Sequence, residues 1–126
     1  MTMDAKSWLS EAHAKRKDAE AALQCKRFSA ACFWSQQAAE LGLKAVFLLQ
    51  KNETPPRVHD LIMLANQVHA PAAIKEASMV LNPAYTSARY IDVTTKPPSK
   101  YYKKKDAELA LDKSKEVLEW CKSQFR

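Results

Sequence analysis

With 126 residues, 47% hydrophobic and 27% charged, the chain has the size and composition of a single domain spanning residues 1–126, far from the disordered regime. Its only glycine, Gly42, nearly excludes phosphate-cradling loops and nucleophile elbows, which need several glycines where the backbone turns tightly or approaches a ligand. Twenty Lys and Arg against 14 Asp and Glu give a net charge of +6, which favours polyanionic partners such as nucleotides, RNA or an acidic protein without choosing among them.

Residues 4–24 place Ala5, Trp8, Ala12, Ala19, Ala22 and Leu23 mostly at helical spacings, with Lys15, Arg16, Lys17 and Glu20 interleaved, and predict an amphipathic helix. A second helix, about 27–50, carries only Glu40 and Lys44 as charges between Phe28 and Gln50. A helix so nearly apolar on every face is one surrounded by other helices or by a second subunit. Its length approaches a membrane span, but Ser35, Gln36, Gln37 and the Glu40/Lys44 pair would be costly in lipid, so it reads as a buried helix and not a membrane segment.

The prolines of "KNETPPRVHD" end that helix. His59 or Asp60 can cap a short helix "LIMLANQV", Pro71 suits the first turn of a segment over 72–81, and Asn82-Pro83 signals another short helix, "PAYTSARY". Residues 91–100 read as the main irregular loop. In the last helix, about 103–124, Leu111, Ser114, Leu118, Cys121 and Phe125 form one stripe that Val117 and Trp120 widen beyond a coiled-coil seam. The predicted fold is all-α, an up-and-down antiparallel helical bundle of three long and two or three short helices. Three cysteines without a C-x-x-C pair, and an N-terminus without a signal-peptide core, suit a reducing, cytoplasmic setting.

Four polar residues stand inside the apolar second helix: Gln36, Gln37, Glu40 and Lys44. They can line a ligand groove or a dimer seam, or they can satisfy one another and neighbouring backbone, with Glu40 and Lys44 at the favourable i, i+4 spacing. His59 offers a general base beside Asp60, or only a helix cap; Cys32, on a core helix, reads as a small hydrophobe. The histidines and cysteines show no metal-ligand spacing, and no cofactor is expected.

The strongest surface signal is "KPPSKYYKKK", five lysines and two tyrosines without an acid. Lys96, Lys100, Lys103 and Lys104 can neutralise phosphates while Tyr101 and Tyr102 stack on bases, and Arg89 can point toward the same face or pair with Glu40. Its bland alternative is a solvated loop leading into a helix. Lysines at a helix N-terminus oppose the macrodipole, a local cost that a bound anion would relieve.

Trp8, "CFWSQQAAELGLKAVFLL", "HDL" at 59–61, "ARY" at 88–90 and the closing "AELALDKSKEVLEW" together resemble the HEPN family across nearly the whole chain. The resemblance implies an up-and-down bundle, a homodimer, and either RNase activity or partnership with a minimal nucleotidyltransferase, in the manner of a toxin–antitoxin pair. In the family's RNases an arginine is followed by a polar residue and, four to six positions on, by a histidine. Here Arg89 is followed by Tyr90, no histidine follows His69, and Arg57 stands too close to His59. The expectation is therefore a non-catalytic homodimeric module that binds a nucleotide, RNA or a nucleotidyltransferase. The alternative is an unconventional metal-independent RNase using Arg89, His59 and Tyr90.

Overall fold

The computed structural model describes residues 4–87 and 98–125. Among them lie seven helices and no strand: α1 (Ala5–Gln24), α2 (Phe28–Lys51), α3 (Leu61–Gln67), α4 (Ala72–Leu81), α5 (Ala84–Ser87), α6 (Pro98–Tyr101) and α7 (Lys104–Ser123). The expected all-α bundle of three long helices is present, and α5 and α6 are single turns. Arg89, Tyr90 and Lys96 lie outside the described residues.

α2 is the axis of the bundle. It packs against α1, α7 and the shorter α3, α4, α5 and α6, which explains why its sequence is apolar nearly all round. Ala31, Ala38, Ala39, Leu43, Ala45 and Val46 are completely buried along it. The frequent alanines let neighbouring helices approach closely, and α7 is pinned where Ser114 Oγ donates to the Ser35 carbonyl of α2 at 2.7 Å. A buried bond of this type contributes about 1 kcal/mol net. The short connection between α1 and α2 makes the two antiparallel neighbours.

A chain with one glycine must end its helices by other means. Lys26, Asn52 and His69 take the left-handed conformation at three helix ends, with φ of 58°, 52° and 58°. After α1 and again after α3 they complete paired closing bonds: Lys26 N–H to Leu23 O with Arg27 N–H to Ala22 O, and His69 N–H to Asn66 O with Ala70 N–H to Ala65 O.

At the helix starts, Asp4 caps α1 by accepting from Ser7 N–H at 2.8 Å, and this bond holds the Asp4 carboxyl below its ordinary pKa. Asp60, not His59, caps α3, accepting from the backbone of Ile62 and Met63 at 3.0 and 3.3 Å. Asn82 does not spend its side chain on the following helix. Its Oδ1 accepts from Leu61 N–H at 2.8 Å and its Nδ2 donates to Asp60, tying the end of α4 to the start of α3.

Candidate functional site

The polar residues of α2 converge on one carboxylate. Glu40, 4% exposed, accepts from Lys44 Nζ at 2.9 Å, while Gln36 and Gln37 direct their amide nitrogens at the same group from 3.4 and 3.5 Å. Gln37 also donates to Gln36 Oε1 at 2.7 Å, and Gln36 reaches the His59 carbonyl at 3.1 Å. Gln36 and Lys44 are buried as well, at 0% and 8% exposure. The chain's own segments supply this burial, so a second subunit is not needed to explain it; Gln37 alone of the four is half-buried.

The cluster has a fifth member, His59, which the sequence offered as a base or a cap but not as a partner of Glu40. His59 Nδ1 lies 3.0 Å from each oxygen of Glu40, and its ring stacks on Tyr85 with centroids 4.0 Å apart and planes 15° from parallel. Two oxygens of one carboxylate facing that nitrogen place a ring proton at Nδ1. Nε2 of this half-exposed ring has no hydrogen-bond partner among the described residues. The arrangement can do two things: lock the loop before α3 onto α2, and present at the surface an imidazole oriented by a buried carboxylate and a tyrosine ring.

The lysine and tyrosine run is divided by the fold. A cavity of about 430 Å³ opens between the end of α4 and the start of α7, floored by buried Leu81 and Ala110 and walled by Tyr101, Tyr102, Lys103, Lys105, Asp106 and the exposed Leu109. Tyr101 is 51% exposed and meets Tyr102 edge-on with centroids 5.1 Å apart. Lys105, not singled out in the sequence, lines the cavity, whereas Lys100 and Lys104 are exposed and do not. The three lysines at the start of α7 do not face the helix dipole alone, because Asp106 sits in the first turn and accepts from the Lys103 N–H at 2.8 Å.

Cys32 borders the same cavity, but burial, aided by the Asp106 carboxylate, pushes its thiol up to about 12. Cys121 is raised further by burial. At pH 8 a thiol reagent should therefore modify exposed Cys25 rapidly in the native protein and reach Cys32 and Cys121 only on unfolding. A second fast thiol in the native state would restore Cys32 as a candidate nucleophile.

Among the described residues no group of three or more His, Cys, Asp and Glu side chains is placed to hold a metal ion, and no helix is long and apolar enough to cross a membrane.

Comparison with known proteins agrees with this architecture. The chain is similar to TT1696 from Thermus thermophilus, whose crystal structure superposes with a TM-score of 0.89 at 29% identity over 96% of this chain and 98% of that one. It is similar also to ST0689, an archaeal HEPN homologue, with a TM-score of 0.86 at 29% identity over 99% and 100% of the two chains. No curated protein matches it. The model of the HEPN domain matches residues 5–124, and the chain belongs to the HEPN family.

Proposed function

We propose that the protein is a non-catalytic HEPN binding module that holds a nucleotide or a short stretch of RNA in the cavity between α4 and α7. The observation that carries this reading is the exposed Tyr101 beside Lys103 and Lys105 over an apolar floor. A base stacks on the tyrosine, a contact worth about 1–3 kcal/mol, while the ammonium groups meet the phosphates. The volume falls within the roughly 300–1,000 Å³ typical of small-molecule sites. Val80 and Leu109, exposed in the same cavity, supply apolar surface for the second copy or nucleotidyltransferase partner that belongs to this proposal.

Calorimetric titration of ATP, GTP and a short single-stranded RNA at low and moderate salt tests it. Lys103→Glu combined with Lys105→Glu should weaken binding at least about tenfold and flatten its salt dependence. New acids at this helix start are favoured by its dipole, so the variant should remain folded. Absence of heat with any of the three ligands overturns the reading. RNA recovered intact supports binding without chemistry; metal-independent cleavage lost on His59→Gln would favour the Glu40–His59 pair as an acid–base catalyst instead.

A further inference from the structure

A second cavity, about 690 Å³, lies between α1 and α7. α1 contributes Lys6, His13 and Lys17 from one helical face, and α7 contributes Lys115 and Lys122 from another, over an apolar strip made by Leu9 and Leu118. On α7 Lys115 and Lys122 stand roughly a third of a turn round the helix from Lys105 and Leu109 and further along it, and the two cavities share no lining residue.

The charge lining this groove is one-sided. Arg16 also faces it but is paired with Glu20 on its own helix. Lys6, Lys17, Lys115 and Lys122 have no carboxylate partner among the described residues, and Glu119 is the sole acid of the lining. Two helices that bring unpaired ammonium groups toward each other repel, and burial of Ala12, Ala38 and Leu118 beneath them holds the pair together. His13 sits in the resulting positive potential. Burial first, then Arg16 and Lys122, with Lys17 adding, lower its pKa below the ordinary histidine value, and Glu119 opposes them.

We infer that this α1/α7 groove binds a multiply charged phosphate anion, either the oligophosphate of a small molecule or successive phosphodiesters of RNA. The concave shape and four free ammonium groups on two facing helices match a compact polyanion. Lys6 to Lys17 alone spans roughly 16 Å along α1, long enough for several phosphates. The apolar strip of two leucines is too narrow for the spaced hydrophobic anchors by which an acidic amphipathic helix docks. The site is independent of the Tyr101 cavity. An anion beside His13 offsets the cationic part of that depression, leaving the part due to burial, so binding raises the histidine pKa, takes up protons and tightens as pH falls.

The test titrates inorganic tripolyphosphate, ATP and a ribo-oligonucleotide of about eight residues into the full chain. Lys17→Glu with Lys122→Glu should weaken binding at least about tenfold, whereas Lys26→Glu with Lys75→Glu, the same change in net charge elsewhere, should weaken it less than about threefold. Equal weakening by both pairs, or a glutamate oligomer binding as tightly as tripolyphosphate, overturns the proposal. Loss only in the Lys103/Lys105 variant also overturns it while leaving the Tyr101 cavity intact. Saturable tripolyphosphate and ATP binding identifies an oligophosphate site, and binding of the oligonucleotide alone identifies an RNA backbone site; both sustain the inference. The oligonucleotide's charge is constant between pH 5.5 and 8, roughly, so the His13 proton resonance should titrate at a higher pH in its complex, and an unchanged midpoint counts against the site.

Discussion

Replacing Glu40 with glutamine should lower the unfolding free energy by about 3 kcal/mol, the largest loss expected from any single polar substitution in the chain. The change is almost isosteric, so its effect is electrostatic. Glu40 accepts from Lys44 at 2.9 Å and from His59 at 3.0 Å, and the Lys44 side chain is only 10% exposed. Without the carboxylate, a buried ammonium is left uncompensated, and breaking such a pair from one side costs about 3–5 kcal/mol. The nearby glutamine amides cannot substitute, since they donate to Oε1 while Lys44 is held by Oε2, and a neutral amide carries no charge to compensate the ammonium. Removing both charges in Glu40→Gln with Lys44→Met should restore most of the stability, because a neutral pair leaves no orphaned ion. Urea unfolding of the two single variants and the double variant gives the coupling directly. A cost under about 1 kcal/mol for Glu40→Gln, or a coupling indistinguishable from zero, would mean that water reaches Lys44 and that the cluster is not a structural lock.

The same cluster separates what could be read along the chain from what could not. Glu40 and Lys44 pair within one helix, so the i, i+4 spacing announced them. The capping role of Asp60 was equally local. His59 meets Glu40 across 19 positions of sequence, and nothing in the spacing of either residue encodes that meeting. The lysine-rich run showed which residues are basic, but only the rotation of α7 decides that Lys105 lines a cavity and Lys104 does not. Lys17 read only as a charge interleaved on an amphipathic helix; the groove it shares with Lys122 exists only because α1 and α7 pack side by side. Long helices were legible because burial repeats along them, whereas sites between helices depend on relative rotations that no single helix specifies.

That rotation is fixed in part by Gly42, and substitutions there should be costly despite its place inside a helix. In an exposed helix, glycine to alanine gains about 1 kcal/mol of propensity. A Cβ at position 42 would lie 2.6 Å from Leu118 Cδ2 and 3.2 Å from Cys121 Sγ on α7. A leucine tip can usually swing aside, but Leu118 is 1% exposed and clustered with Ala12 and Ala38, while Cys121 is fully buried. Overpacking of this kind costs about 1–3 kcal/mol, so Gly42→Ala should be net destabilising by up to about 2 kcal/mol. Gly42→Val adds two more carbons on a stiff χ1 and should cost about 3 kcal/mol or more. Thermal or urea unfolding measures both, and shaving Leu118 to alanine should cost less in the Gly42→Ala background than in the native one. Stabilisation by Gly42→Ala would show that α7 yields easily and that its approach to α2 is not limiting. Because α7 lines both the Tyr101 cavity and the α1/α7 groove, a folded Gly42→Ala protein should bind more weakly at both, although position 42 lines neither.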